Sequence, residues 1–239
     1  VHAGALVQPL GEGNEAEMFD RNVRACLNLG QWALSRTIPL VHISGAIVYT
    51  DPWAPVQKET SPMGWSGMGG FYGFSKLLAE DVLLRLRQKG LKLAVLRPTS
   101  IYGYGLSEEK LISRLLSTAN VDGVINLSEP VQDCVDLIHA ADVADATVAV
   151  LTQKCWETFN ISSGSPISFL NLAQACLDVV GKGRISTNGK KNSPEYVSSV
   201  RYSLDMRHIF DQLGWEPTID IHQGLQMQLS KNVYYKRCT

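Results

Sequence analysis

Tyr72 and Lys76, in the stretch FYGFSKLLAE, are residue types that could transfer a proton. Side chains four residues apart lie one above the other on a helix, so the phenol and the ammonium would project side by side. A free tyrosine has a pKa near ~10, and a nearby ammonium lowers that pKa towards the range useful for acid/base work. The spacing predicts a tyrosine that exchanges a proton with a substrate hydroxyl or carbonyl, although two polar residues that share a helix face give the same pattern.

The segments around this pair alternate between helical and β-rich patterns, which indicates an α/β protein with a largely parallel sheet. Periodicity predicts a helix over residues 15–36, a strand at PLVHIS, a loop over 50–70, a helix over 72–89 and a strand at LKLAVLRP. Helices over 105–119, 141–153, 168–180 and 204–215 and a strand at ETFNISS follow. Because Ser44 ends a strand before the loop, the pair would lie at the carboxyl ends of the strands, where α/β sites form.

Composition and charge limit the possible partners. A chain of 239 residues with 45% apolar composition can bury the core of one large domain, or of a domain with a small appendage. The net charge of −1 and the lack of a basic cluster argue against nucleic acid or an anionic membrane surface as partner. No run approaches the roughly 20 apolar residues of a membrane span. The five scattered cysteines, without metal-type spacing, fit reduced thiols in a cytosol-like compartment.

Several stretches resemble, in the same order, the extended short-chain dehydrogenase/reductases, in particular the NAD-dependent epimerase/dehydratase family, which acts largely on nucleotide sugars. VHAGAL is similar to the end of the family's fourth strand, FDRNVRACLNL to the next helix, and LVHISGAIVYTD to the strand that carries the catalytic hydroxyl. YGFSK matches the Tyr/Lys pair, and LRPTSIYG, CVDLIHAADVADA, TFNISSG and LGWEP match later segments. The resemblance implies a Rossmann-like doubly wound parallel sheet, lacking its first βα units, with a smaller, mostly helical C-terminal substrate lobe.

The resemblance also implies a domain division. Residues 1–103 would form a partial Rossmann dinucleotide-binding domain with a returning segment at about 134–162, and residues 104–133 and 163–239 would form the substrate-binding lobe. The Gly-rich turn that holds the pyrophosphate would precede Val1, so we expect an N-terminally incomplete chain. NAD and NADP both remain open as cofactors, since the residue that reads the ribose would also lie upstream.

By this resemblance Tyr72 would be the acid/base, while Lys76 would lower its pKa and hydrogen-bond the nicotinamide ribose as hydride moves to or from the nicotinamide. The other cofactor-binding residues that it implies are Ala3, Gly4, Ala5, Pro98, Thr99 and Ser100. Asn22 matches a helix asparagine that often has a structural role, so it is left out of the site. Arg97, at a strand end, is interpreted as a salt-bridge partner. No metal site is predicted.

Two positions depart from the family pattern. Counting back from Val48 and Tyr49, Gly45 occupies the usual place of the catalytic serine or threonine, so Ser44 is the catalytic candidate that remains nearby. Successive side chains of a strand point to opposite faces, so Ser44 could face away from the substrate, and Ser66 is an alternative. Val135 stands where nucleotide-sugar epimerases commonly present an arginine to the diphosphate, which leaves Arg201 or Arg114 as substitutes.

Three functions are therefore open. The preferred one is an NAD(P)-dependent epimerase/dehydratase-type oxidoreductase acting on a nucleotide sugar or a related small hydroxyl or carbonyl compound. Val135 favours an NAD(P)-dependent reductase or dehydrogenase of a smaller substrate, and Gly45 favours a non-catalytic binding or scaffold protein. We also expect a cytoplasmic location and a homodimer. The helix over 72–89 suggests the dimer because its apolar residues spread around more than one face: Leu77, Leu78, Val82, Leu84 and Leu86.

Overall fold

Helices and strands alternate along the chain, which a computed structural model describes over residues 1–7, 14–128, 130–188 and 200–236. The strands are β1 (Leu40–Ile43), β2 (Leu93–Pro98), β3 (Ser100–Tyr102), β4 (Val124–Ser128), β5 (Cys134–Val135), β6 (Leu137–His139), β7 (Thr158–Ile161), β8 (Ile167–Ser168), β9 (Arg184–Asn188) and β10 (Val200–Arg201). The helices are α1 (Glu15–Met18), α2 (Ala25–Ser35), α3 (Gly70–Gln88), α4 (Leu111–Val121), α5 (Ala140–Gln153), α6 (Phe169–Val180), α7 (Arg207–Leu213) and α8 (Ile221–Lys236). A π-helical segment (Phe19–Arg24) joins α1 to α2, and a 3-10 turn (Ala46–Val48) follows β1.

The strands β1, β2 and β7 form a parallel sheet in the order β1-β2-β7. β1 and β2 are buried along their whole length, as expected of parallel strands covered on both faces. His2 extends this sheet beyond β1, because its N–H donates to Val41 O at 2.8 Å and its C=O accepts from Ile43 N at 3.0 Å. The predicted α/β fold with a parallel sheet is confirmed, as is the strand end at VHAGAL.

Most predicted helices are present, with small shifts at their ends. The helix expected over 15–36 runs from Glu15 to Ser35 through the π-helical segment, and the helix expected over 72–89 is α3. The helix expected over 105–119 begins only at Leu111, because Lys110 is extended, with ψ 144°. Sequence periodicity did not predict α8 or the strands outside the β1-β2-β7 sheet, most of which have only two or three residues. None of the described helices combines the length and apolar character needed to cross a bilayer.

Helices cover both faces of the sheet. Side chains of α5 and α7 pack on the face that carries Leu96 and Phe159, and side chains of α2 and α3 pack on the face that carries Leu93 and Val95. A separate apolar cluster joins α4, α6, α8 and β4. The division into residues 1–103, 134–162 and a substrate lobe stays a prediction. α7 packs on the sheet although that prediction assigns it to the lobe.

Candidate active site

The segments predicted to form the site meet at the carboxyl edge of the sheet. Ser44 follows β1 directly, and its N–H donates to Leu96 O of the neighbouring strand at 2.7 Å. Thr99 follows β2, and its N–H donates to Ile161 O at the end of β7 at 2.9 Å. The predicted cofactor-binding residues next to them at this edge are Ala3, Gly4, Ala5, Pro98 and Ser100. Parallel strands end together, so these segments, far apart in sequence, lie along one edge.

Helix α3 presents Tyr72 and Lys76 from its first two turns. The helix begins after Gly69, whose left-handed conformation (φ 69°) suits glycine at this turn. Lys76 is 4% exposed, and its Nζ donates a hydrogen bond to Ile43 O, the last carbonyl of β1, at 2.7 Å. Tyr72 is half-buried one turn earlier, so the spacing of four places both side chains on one ridge of the helix.

Burial shifts the acid/base properties of this pair. It raises the pKa of Tyr72 above its ordinary value of 10.0, because the charged phenolate loses hydration. Burial also lowers the pKa of Lys76, against the opposing influence of Cys26 and Glu80. The expected lowering of the Tyr72 pKa by Lys76 is not found, and the direction is the opposite one. Tyr72 therefore carries its proton at neutral pH, which suits a proton donor.

The hydroxyl of Ser44 points into the protein. Ser44 is 6% exposed, and its Oγ donates a hydrogen bond to Glu80 Oε2. The other oxygen of this carboxylate, Glu80 Oε1, accepts from Arg97 Nη2 at 2.6 Å and from Arg97 Nε at 2.9 Å. The expected salt bridge of Arg97 is confirmed. The catalytic role predicted for Ser44 stays a prediction, which its bond to a fully buried carboxylate does not favour.

Gly45 has space for a side chain at the position where the family pattern expects a hydroxyl. Its backbone is extended, with φ 175° and ψ 156°, so any residue can adopt this conformation. A Cβ built there would meet Ile47 Cγ2 at 3.7 Å and Pro98 O at 3.9 Å, which are ordinary contact distances. The lack of a hydroxyl at this position is therefore not imposed by packing.

Two polar groups beside the site were not predicted from the sequence. Asp136, 2% exposed, accepts hydrogen bonds from Thr99 Oγ1 (3.2 Å), Ser162 Oγ (2.6 Å) and Ser163 N (2.9 Å), so it fixes the segment after β2 to the segment after β7. Tyr49 Oη accepts from Arg97 Nη1 at 3.0 Å and donates to Asn160 Oδ1 at 2.6 Å. The signal for both is a polar residue inside an apolar run, which needs a buried partner.

Asn22 links the strand end at residues 1–7 to helix α3. Its Oδ1 accepts from Leu6 N at 2.6 Å, and its Nδ2 donates to Leu6 O at 3.0 Å and to Ser75 Oγ at 2.9 Å. Ser75 in turn donates to Tyr72 O at 2.8 Å. Asn22 lies in the π-helical segment, a type of turn often found at functional sites. The sequence pattern did not assign Asn22 to the site, whereas in the structure it connects two predicted parts of the site.

The residues at or near the expected diphosphate-binding position, and the alternative catalytic hydroxyl, lie in different surroundings. Val135 is half-buried in β5. The Arg201 guanidinium lies over the Trp53 ring, 5.5 Å from its centroid, and Arg114 is exposed on α4. Ser66, the alternative hydroxyl, accepts from Met68 N at 3.3 Å in the 50–70 loop. The structure therefore brings none of these groups into hydrogen bonds with Tyr72 or Lys76.

The strand end has the features that close approach of a ligand to the main chain requires. A cavity of about 310 Å³ is lined by His2, Gly4, Ala5, Leu6 and Arg21. The small residues Ala3 and Gly4 are exposed beside it, so no bulky side chain covers the backbone. These residues fit a dinucleotide. A second cavity of about 390 Å³ lies between the segment after β7 and residues 217–221, and none of the predicted site residues lines it.

A parallel sheet covered by helices on both faces, with a Tyr/Lys pair at its carboxyl edge, places this protein in the Rossmann-like α/β class. The sequence profile of the NAD dependent epimerase/dehydratase family matches residues 1–162. That match covers more than half of the chain, and the chain belongs to this family.

Similar proteins include two curated relatives. One is a putative UDP-glucose 4-epimerase of Methanocaldococcus jannaschii, 28% identical over 192 residues that make up 77% of this chain and 59% of the relative. The other is a dTDP-glucose 4,6-dehydratase of Xanthomonas campestris pv. campestris, 26% identical over 194 residues, which cover 77% of this chain and 51% of that protein. The chain thus spans about half to three-fifths of the length of these relatives.

Solved structures share the fold at low sequence identity. The UDP-glucuronic acid 4-epimerase from Bacillus cereus, in complex with NAD, superposes with a TM-score of 0.81 at 19% identity, covering 96% of this chain and 70% of that one. The dTDP-glucose 4,6-dehydratase from Bacillus anthracis, also in complex with NAD, has a TM-score of 0.76 at 21% identity and covers 95% and 72% of the two chains. These similarities establish the Rossmann-like fold.

Proposed function

We propose that the protein is an NAD-dependent oxidoreductase of the epimerase/dehydratase type that acts on a nucleotide sugar. One observation carries this proposal: Tyr72 and Lys76 share a helix ridge at the carboxyl edge of the sheet, and Lys76 is fixed to the last carbonyl of β1. Burying the Lys76 ammonium costs free energy of desolvation. Such costly groups cluster at functional sites, so the pair supports a role in proton transfer.

The proposed cofactor is NAD, bound along the carboxyl edge. Bound NAD would accept hydride from the substrate and return it. The residues proposed to hold it are Ala3, Gly4, Ala5, Tyr72, Lys76, Pro98, Thr99 and Ser100. The exposed small residues next to the 310 Å³ cavity support this, as do the family description and the NAD complexes of the similar structures. Lys76 is proposed to orient the ribose through its ammonium.

Tyr72 is the proposed acid/base. The phenol is protonated at neutral pH and can donate to a developing alkoxide at a substrate carbonyl, although burial raises its pKa and so makes it a weaker acid than a free tyrosine. In the opposite direction the phenol must first lose its proton to solvent. The phenolate, stabilised by the Lys76 ammonium, would then take the proton of a substrate hydroxyl. Whether Ser44 assists is part of the proposal, and its bond to Glu80 argues for a supporting role in packing.

A nucleotide sugar is the proposed substrate because the similar curated proteins are a UDP-glucose 4-epimerase and a dTDP-glucose 4,6-dehydratase. The proposal extends to a cytoplasmic location and to a homodimer through α3. The half-buried apolar residues of α3 and the exposed Phe19 (38%) and Trp32 (47%) on the helix beside it support the dimer.

The test combines cofactor binding with turnover. Purified protein is titrated with NAD by intrinsic fluorescence, then incubated with NAD and UDP-glucose or dTDP-glucose, and the sugar products are followed by NMR. We expect Tyr72→Phe to bind NAD normally and to lose turnover by about 10²- to 10⁴-fold. Tyr104→Phe, which alters an exposed tyrosine, is the matched control and should keep full activity. Unchanged turnover in Tyr72→Phe would exclude the proposed mechanism, and NAD binding without turnover in the parent would indicate a non-catalytic member.

A further inference from the structure

Three side chains that commonly bind metals meet below the carboxyl edge. His2 comes from the strand end, His42 from β1 and Cys26 from α2, and one ligand atom of each lies within 4.8 Å of the others. His42 and Cys26 are 1% exposed, while His2 is half-buried and lines the 310 Å³ cavity. Sequence spacing could not show this cluster, because the two histidines are 40 positions apart and are paired only by the parallel sheet.

The separations match those of a tetrahedral metal centre. Zinc binds histidine nitrogen at ~2.0–2.1 Å and thiolate sulfur at ~2.3 Å, so tetrahedral ligands are about 3.4 Å apart for two nitrogens and about 3.6 Å apart for nitrogen and sulfur. Here His2 Nδ1 lies 3.2 Å from His42 Nδ1 and 3.6 Å from Cys26 Sγ. The ligand atoms of Cys26 and His42 lie within 4.8 Å of each other.

Hydrogen bonds alone cannot satisfy His2 Nδ1, His42 Nδ1 and the Cys26 thiol together. A neutral imidazole nitrogen either donates a proton or accepts one with a single lone pair. His2 Nδ1 faces both His42 Nδ1 and the Cys26 thiol, so it cannot make a good hydrogen bond to each of them. A cation among the ligand atoms would bond all three of them at once.

We propose that His2 Nδ1, His42 Nδ1 and Cys26 Sγ form a binding site for a thiophilic divalent cation such as Zn²⁺. The ligand set of two imidazoles and one thiolate suits zinc, and the cavity beside His2 provides the entry path and the fourth coordination position. The Lys76 ammonium acts electrostatically on all three ligands. Burial raises the pKa of the Cys26 thiol to about 11, so a bound cation must displace the thiol proton to solvent. The negative charge of the resulting thiolate offsets part of the repulsion between the cation and Lys76. This site adjoins the proposed cofactor site, since His2 lines the same 310 Å³ cavity, but its three ligands do not include the proposed acid/base Tyr72.

The test uses Co²⁺ as a spectroscopic substitute for zinc in the purified chain after treatment with a chelator. We expect one Co²⁺ per chain to give the visible absorption of a tetrahedral centre together with a thiolate-to-cobalt charge-transfer band, and Zn²⁺ to remove both. Cys26→Ser should abolish the charge-transfer band and weaken Zn²⁺ binding by more than the roughly 10- to 100-fold that loss of an outer-shell partner costs.

Matched variants make the result decisive. Cys176→Ser alters another buried cysteine, which lies in the separate apolar cluster, and should keep the full spectrum. His2→Asn changes a half-buried residue, so it should fold even if the Cys26 variant does not, and it should weaken Co²⁺ binding. Circular dichroism checks the fold of each variant. Absence of the charge-transfer band in the folded parent, or its survival in folded Cys26→Ser, would overturn the proposal whatever the outcome of the NAD experiments.

Discussion

A catalytic hydroxyl needs both a hydroxyl group and an open position facing the substrate, and Ser44 and Gly45 each provide only one of these. Ser44 has the hydroxyl, but its Oγ donates a hydrogen bond to the Glu80 carboxylate inside the protein. Gly45 has an open position beside Pro98 O, but no side chain. Neighbouring residues of an extended chain point to opposite sides, so one cannot take the place of the other without a change in the backbone.

Filling position 45 should be tolerated. We expect Gly45→Ala to raise the free energy of unfolding by ~0.4–1 kcal/mol, because the backbone is already extended and the substitution restricts the unfolded chain. Gly45→Ser should be similarly stable, and it alone should raise turnover by adding a hydroxyl. Urea denaturation and product NMR measure the two effects. Gly73→Ala is the contrasting control, since its Cβ would lie 2.2 Å from Met68 O and should destabilise the protein. Loss of stability in Gly45→Ala would contradict the prediction.

The sequence predicted which residues could exchange a proton but not the direction of the Tyr72 pKa. The i, i+4 spacing fixes a shared helix ridge and needs no knowledge of the fold. Burial of the phenol depends on the tertiary packing around the first turn of α3, which no local pattern reveals. The same reason explains Ser44, whose partner Glu80 is 36 positions away.

At the level of elements, the helix before β1 holds the strand end in place. Asn22 satisfies both the N–H and the C=O of Leu6 and reaches Ser75 on α3. It therefore ties the segment proposed to contact the cofactor to the helix that carries the proposed acid/base. The helix itself could be predicted from its apolar spacing, whereas that spacing gives no sign of the π-helical segment.

Asn22→Ala should loosen this connection. The part-buried N–H and C=O of Leu6 would lose their partner, which costs at most the ~1–3 kcal/mol of a fully buried unsatisfied group for each of them. We expect faster amide hydrogen exchange at Leu6 and weaker NAD binding, both measured on the purified chain. Asn28→Ala, an exposed asparagine on the same helix, should change neither. Equal exchange rates in the two variants would show that Asn22 does not hold the strand end.

The start of α7 should be sensitive to acid. Hydrogen bonds from Arg207 hold the pKa of Asp205 at about 2, below its ordinary value of 3.8. The folded-state pKa is depressed, so the stability from this pair is present above about pH 4 and is lost as the pH falls towards 2. We expect Asp205→Asn to lower the thermal midpoint at pH 6 and to lose that difference at pH 2. Asp211→Asn, on the exposed side of α7, is the control and should show a smaller difference at pH 6.

On the scale of the whole molecule, the ion pair of Glu80 and Arg97 connects four parts of the chain. Glu80 lies on α3 and Arg97 on β2, and the Arg97 guanidinium also donates to Tyr49 Oη (3.0 Å) and Glu59 O (2.9 Å) in the segment after β1. Tyr49 continues the connection to Asn160 on β7. Side-chain exposures of 0% for Glu80 and 3% for Arg97 show that this pair is shielded from bulk solvent.

Neutralising one member of this pair should destabilise the fold strongly. We expect Glu80→Gln to lower the free energy of unfolding by ~3–5 kcal/mol, because it leaves the Arg97 guanidinium buried without its counter-charge. The double variant with Arg97→Met should cost less than the sum of the single variants. Asp81→Asn removes the neighbouring exposed pair with Arg85 (2.9 Å) and should cost less than about 1 kcal/mol. Chemical denaturation measures the free energy of unfolding of Glu80→Gln, Arg97→Met, the double variant and Asp81→Asn. Additive costs in the double variant would contradict the coupling between Glu80 and Arg97.

The family and the parallel sheet could be predicted from the order of short motifs. Which helix packs on which face of the sheet could not be predicted. Strands such as LKLAVLRP are recognisable because burial on both faces makes them continuously apolar. The position of α7 was predicted incompletely, since its amphipathic pattern shows that it has a partner and not which one. Its Ile209 and Leu213 prove to cover the same face of the sheet as α5.

The placement of α7 on the sheet affects how the chain folds while it is being synthesised. The three sheet strands are complete once Ile161 has emerged from the ribosome, but Ile209 and Trp215 follow much later. At ~5–20 residues per second the nascent sheet waits roughly 3–10 s with part of one face uncovered. During that interval the apolar groups around Phe159 are open to chaperones and to neighbouring nascent chains, so a stall in translation before α7 would favour aggregation over folding.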